Sequence, residues 1–397
     1  MGRDGAYLTQ AEAGLPTRPA APFAMGDRFA AWPRLRALAA LIALAMMLAA
    51  SAFVPLTVGR GEVAKPAQIS LTGNAGKQAE RPRDDDLTLY DHAVTRIRHG
   101  ENYYDFIAQE HRKADYPLRP GLAVRLPTLA YLDAAMGVDE AKPAPIAMGA
   151  AVVLMLAVIW AWWRRLGDEA CSESQRLFGT ALIFLGASLG LNRYYFVLHE
   201  LWAGMLIALS LGLHRPSRGR WLGAWLAAAL ALAIREHTLP YVLLMGAMAL
   251  WRGHRREAGA WALLVALFAL AMAVHLHLVA LHTLPTDPTG PSWFAMRGLG
   301  GWLSNVALSS NLRFLPHWIA GPAIIAMILG WAGWRSEAGA TATLLFLGYG
   351  LLFMIAGRDD NFYWGAMIAP AMFVGLAFVP MALAGVWKAV WTGREGI

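Results

Sequence analysis

Long apolar runs separated by brief polar breaks dominate the chain. Uncharged stretches at 37–59, 143–163, 258–286, 314–334, 338–357 and 361–387 are each long enough for a bilayer crossing, which takes roughly 20 mostly apolar residues. Shorter apolar runs at 177–192, 201–214, 221–234 and 237–251 are set off by single ionisable residues. Together the pattern predicts an all-α polytopic membrane protein with about ten transmembrane helices and both termini on one side.

Between the first two runs the pattern changes. Residues 60–83 carry little apolar content and read as an extended connector. From Asp86 onward, Leu87, Tyr90, Val94 and Ile97 recur at spacings of three and four, which places them on one helical face. Gly100 is a natural C-terminal stop for that helix. Its half-apolar character suits an amphipathic helix lying on the membrane surface. A second candidate helix covers 121–135, with Pro127 to break or bend it.

Composition supports the membrane reading: 57% of residues are hydrophobic and 15% charged, and the mean hydropathy is +0.42. Orientation comes from the basic residues of the short loops. The segments on the side of residues 1–36 hold 17 Lys and Arg, against five on the other side once the long 60–142 loop is set aside. The expected organisation is therefore a cytoplasmic tail over 1–36, a membrane domain over 37–388 whose first periplasmic loop is 60–142, and a cytoplasmic tail over 389–397. The expected location is a bacterial inner membrane. The net charge of +7 comes from dispersed loop anchors, not from one basic face, and does not point to nucleic acid. Cys171 is the only cysteine, so no intrachain disulfide supports the outer loop. Residues 1–30, rich in Ala, Pro and Gly, read as a disordered tail. Ala50-Ser51-Ala52 is similar to a signal-peptidase site, but the uncharged length of 37–59 favours an uncleaved anchor.

The outer loop also carries the chain's most distinctive chemistry. Asp84, Asp85 and Asp86 open its helix, and helix capping accounts for one aspartate well and a second in part. Asp86-Leu-Thr-Leu-Tyr90, Ala93, Gly100, Tyr103-Tyr104 and Tyr116-Pro117 through Pro120 resemble the first outer loop of GT-C type membrane glycosyltransferases. In that group an acidic element opens an interfacial helix and a Pro-rich element precedes the second span. The close match covers about residues 84–132. Here Asp86 is followed by Leu87, and its acidic neighbour comes before it, so Asp85 and Asp86 both stand as candidates; Asp86 is favoured because it lies four residues before Tyr90. The resemblance implies inverting sugar transfer from a polyprenyl-phosphate donor to a lipid, glycan or protein acceptor. The aspartate would act as general base, and Tyr90, Tyr116 and Arg119 would lie on the substrate side. No cofactor is certain, although a divalent cation beside Asp84–Asp86 is compatible with the group.

Ionisable residues in the apolar runs add candidates. The arms 221–234 and 237–251 are too short to cross a bilayer, so a hairpin between them would hold Arg235-Glu236-His237 below the outer surface. Intramembrane charge usually lines a polar cavity, which makes Arg235 a candidate phosphate contact; a local Arg235–Glu236 pair is the competing structural reading. His199 and Glu200 open the run after Tyr194-Tyr195, and Glu200 is expected to face a polar cavity, where it would bind a sugar hydroxyl or serve as a second carboxylate; a hydrogen bond to Arg193 or to a neighbouring helix is the structural reading. In the last outer loop, the resemblance to GT-C enzymes makes Arg358 a second candidate phosphate contact, whereas Tyr363 and Trp364 fit the interfacial aromatic belt. His275, His277 and His282 have the wrong spacing for a three-ligand metal site.

A polytopic transporter or lipid flippase is the main alternative from another class, because short broken helices with buried charge suit it. A surface-polysaccharide polymerase or ligase is the second.

Overall fold

A computed structural model describes residues 27–58, 62–63, 85–139, 142–169 and 171–392. Residues 1–26, most of the 60–83 connector and residues 393–397 lie outside them, as does Asp84. Asp85 is described for its backbone alone. The tail and connector readings for those segments therefore stand as expectations.

Apart from a two-residue antiparallel ladder between β1 (Thr57–Val58) and β2 (Glu62–Val63), the regular structure is helical. All ten apolar runs are helical. The first is α1 (Arg34–Phe53). After the outer loop come α5 (Pro145–Asp168), α6 (Glu173–Ala187), α7 (His199–Leu213), α8 (Leu222–Ile234), α9 (Leu239–Trp251) and α10 (Arg255–Leu281). Then follow α11 (Gly298–Leu308), α12 (His317–Gly333) and α13 (Glu337–Ile355). The last run is segmented: a tight helical stretch over Asp359–Met367, α14 (Ala369–Met372), a second tight stretch over Phe373–Phe378, and α15 (Val379–Thr392). Among the described residues five helices, counting 369–392 as one, are long and apolar enough to cross a membrane. Their outward residues, such as Leu270, Trp391 and Leu351, are exposed apolar side chains, as membrane insertion requires. The protein is a helical membrane protein.

Three differences from the sequence reading concern element boundaries. Residues 27–33 are packed: Phe29 is buried and the Arg28 amide donates to the Gly333 carbonyl. At the other end, α15 runs four residues into the expected tail. The 298–308 helix was not anticipated, because its Gly-Leu-Gly-Gly start weakens the helical pattern.

Among the described residues the 60–142 loop folds into three α-helices. In α2 (Asp85–Arg98) Leu87 and Val94 are buried as the spacing implied, and Gly100, at a φ of 90°, ends the helix in a conformation that costs other residues energy. Leu89, Asp91 and Ala93 are also buried. The apolar face of the helix is thus clasped by protein. One partner is α3 (Tyr103–Lys113), which starts at Asn102, whose side chain caps the Tyr104 amide. The other is α4 (Thr128–Ala135), which begins only after Pro127 because that ring breaks the longer helix expected over 121–135. A loop over 284–297 straps across this unit. Arg112 makes a bidentate pair with Asp287 at 2.7 and 2.8 Å, and the Gly290 amide donates to the Arg119 carbonyl at 2.7 Å.

Candidate active site

Three segments far apart in sequence converge on Asp86. The first turn of α2 brings the carboxylate itself. The Pro-rich stretch after α3 brings Tyr116, whose hydroxyl donates to Asp86 Oδ1. The tight stretch after Gly357 brings Tyr363, whose hydroxyl donates to Asp86 Oδ2 at 3.0 Å, while Asn361 Nδ2 donates to the Tyr363 oxygen at 3.1 Å. That stretch can sit so close to α11 only because residue 365 is glycine. A Cβ there would stand 1.9 Å from the Asn305 carbonyl oxygen, and no real side chain tolerates that approach.

Asp86 borders a cavity of about 260 Å³. Its walls include Arg125, Glu236, His237, Trp293, Arg358 and Trp364. A graded chain of charges leads into it. Arg235 is fully buried and pairs with Glu200 at 2.8 Å, and its other side contacts Glu236. Glu236 in turn lies 3.7 Å from Arg125, whose Nε donates to the Tyr90 hydroxyl at 3.1 Å. Burial works against the Arg125 charge, but Tyr90, Tyr363, Glu200 and Glu236 around it outweigh that and hold its pKa above the ordinary arginine value. Burial raises the Tyr90 phenol, with Arg125 opposing, so it stays protonated. Burial lowers His111, on the same wall, to about 4, against a weaker opposing bond to the Pro117 carbonyl, so its imidazole is neutral.

The arrangement sorts the residues selected from sequence. Asp86, Tyr90, Tyr116 and Arg358 border the cavity. Arg235, Glu200 and His199 do not. Arg235 and Glu200 pair with each other away from the cavity wall, and His199 is buried with its ring 5.0 Å from Tyr90, edge to face. Arg119 also stands aside, donating from Nε to the Asp287 carbonyl at 3.1 Å. The belt reading of Tyr363 and Trp364 fails as well. Trp364 is buried, with the His237 ring 4.5 Å away, and Tyr363 holds the carboxylate.

Sequence reasoning missed Arg125, Asn361 and Trp293. For Arg125 a signal existed, since it is the one charged residue between Pro120 and Leu132 and so had to be compensated or functional. No such signal marks Asn361 or Trp293. His275 bonds Tyr104 and the Val124 carbonyl, tying α10 to the outer unit. Among the described residues no group of three or more His, Cys, Asp or Glu could hold a metal ion.

Comparisons with protein-family models, curated proteins and solved structures find no match to this chain.

Proposed function

We propose that the protein is an integral membrane glycosyltransferase of GT-C architecture, with ten spans and both termini cytoplasmic in a bacterial inner membrane. It moves a sugar from a polyprenyl-phosphate carrier to an acceptor hydroxyl at the periplasmic face. The observation that carries this reading is Asp86, held by two phenols on the wall of a cavity that also holds two arginines and two tryptophans.

Each Asp86 oxygen accepts one tyrosine hydroxyl and keeps a second lone pair for an incoming hydroxyl. The acceptor oxygen attacks the anomeric carbon as its proton passes to Asp86. The bond from that carbon to the phosphate oxygen breaks on the opposite face, the phosphate leaves with the electron pair, and the sugar configuration inverts. Charge builds on the leaving phosphate, where the guanidinium groups of Arg125 and Arg358 stabilise it through planar, charge-assisted bonds. Trp293 and Trp364 offer apolar faces to the sugar ring. Tyr116 and Tyr363 fix the carboxylate so that it spends no reorganisation at the moment of transfer.

The test is Asp86→Asn in purified protein reconstituted with labelled polyprenyl-phosphate sugars and a membrane extract as acceptor. A general base typically contributes about 10²–10⁴-fold in rate, so transfer should fall by that order with the fold intact; full activity in the variant sinks the assignment.

A transporter remains the second reading, favoured by the segmented helix over 359–392 beside the cavity. Sugar-lipid flux across sealed liposomes without covalent product would support it.

A further inference from the structure

Asp86 borders a second cavity as well. With Tyr116 and Tyr363 it forms the partition between the first cavity and a larger one, of about 450 Å³, at the outer ends of α6, α7 and α11. The walls there are different. Leu189, Leu198, Leu201, Leu308 and Phe362 make them largely apolar, and the charged side chains besides Asp86 are Arg313 and Asp360.

We propose that this second cavity receives the hydrocarbon end of the acceptor, so that the acceptor is a membrane lipid whose head lies against Arg313 and presents a hydroxyl to Asp86. The proposal rests on the transferase reading above. Displacement at the anomeric carbon brings acceptor and leaving group to opposite faces of the sugar, which requires two approaches to one carboxylate. The approach with Arg125, Arg358 and His237 suits the donor's anionic head. The other approach would force a glycan or an extended polypeptide to set unpaired polar groups against leucines, which is unfavourable. A hydrocarbon chain has no such penalty and gains from leaving water.

Access fits the same occupant. Asn311, two residues from Arg313, donates from Nδ2 to the Leu185 carbonyl at 2.6 Å, which sets this end of the cavity beside α6. There Phe184 and Leu185 are exposed large apolar side chains, as a lipid-facing surface has. Arg313 keeps a buried Nε without a hydrogen-bond partner, which leaves a donor available for a polar head.

The experiment is photolabelling of the intact protein in nanodiscs with a phosphatidylethanolamine that carries a diazirine on its acyl chain. Label is expected on the peptides containing Leu198, Leu201 and Leu308. It should fall at least 10-fold in Leu308→Trp, which fills the cavity, and persist in Leu347→Trp, which alters an exposed apolar position of α13. Undecaprenyl phosphate should not compete for these positions. Retained binding of undecaprenyl phosphate by Leu308→Trp shows that the variant is folded, and Leu201→Phe gives a milder filling that should reduce the label in proportion. Displacement of the label by undecaprenyl phosphate would assign the cavity to the donor's chain and overturn the proposal. Unchanged labelling in both cavity variants would overturn it too. Sugar transfer without any label removes the lipid acceptor alone, whereas label without sugar transfer in any reconstitution removes the transferase reading alone.

Discussion

The helix α7 carries a buried Arg–Glu ion pair at one end and a buried His–Glu contact at the other. At its start Glu200 pairs with Arg235 at 2.8 Å, and at its end His214 pairs with Glu257 at 2.6 Å, about 21 Å away at 1.5 Å per residue. All four side chains are at most 3% exposed. At the far pair Glu257 also accepts from the Trp261 indole at 3.1 Å and lies 3.6 Å from the exposed His254, and among the described residues none of these side chains lines the cavity beside Asp86. The near pair is the first link of a chain that passes through Glu236 to Arg125, which are 20% and 16% exposed and reach the wall beside Asp86. Burial of charge alone therefore does not mark a site. What marks one is charge whose compensation ends at a cavity.

The sharpest way to break that distinction is to remove one carboxylate from each end. Asp86→Asn should reduce transfer by about 10²–10⁴-fold, as expected for a lost base, with the melting temperature unchanged. Glu257→Leu should do the reverse. It leaves His214 and the Trp261 donor buried without their shared acceptor, and breaking a buried pair costs about 3–5 kcal/mol. The protein should lose yield and melt many degrees lower, while the surviving folded fraction keeps its transfer rate. The double variant Glu257→Leu with His214→Phe should recover part of that loss, because two apolar groups can replace a buried pair. If Glu257→Leu lowered turnover at full stability, the two ends would not differ as described.

Within the near end, Tyr363→Phe tests positioning against mere bordering. The change removes one donor from Asp86 and leaves the ring in place. Transfer should fall about tenfold, the worth of one hydrogen bond to a charged group, with most of the loss in kcat. Equal kinetics in Tyr363→Phe and wild type would return this residue to a packing role.

Much of the scaffold was legible from periodicity. The ten helical runs, the α2 helix with its stop at Gly100 and the helix break at 235–238 all follow from local rules on apolar spacing, capping and length. The candidate site was legible mainly where one segment carried the signal, since Asp86, Tyr90 and Tyr116 lie in a single loop, with Arg358 the one selected residue from elsewhere. Arg235 shows the limit. Its place in the chain announced a costly buried charge, but its compensation by Glu200, 35 residues earlier, depends on how α7 meets the hairpin. Tyr363 shows the converse, since an aromatic after a span looks like an interfacial anchor until the Gly365 contact turns it inward. The sequence pattern could not show that α2 is covered by α3 and α4, because a half-apolar helix reads the same against lipid or against protein.

The smallest expected effect concerns Asp133, which lies near the site in sequence space yet resembles neither end of α7. It is fully buried in α4 and neither carboxyl oxygen has a hydrogen-bond partner. Burial raises its pKa well above the ordinary carboxylate range, and the nearby Asp91 of α2 adds to the rise. The sign of the pH effect follows. In the unfolded chain Asp133 loses its proton near pH 4, whereas the folded chain keeps it to higher pH. The folded state then binds more protons, so stability falls as pH rises from about 4 toward the folded value. Asp133→Asn cannot ionise and escapes that loss. Relative to wild type, its melting temperature should rise by a few degrees at pH 8 and by almost nothing at pH 4, as followed by intrinsic fluorescence in detergent. An offset that stays constant across that range would mean that Asp133 is ionised in the folded protein, compensated after all like the pairs on α7.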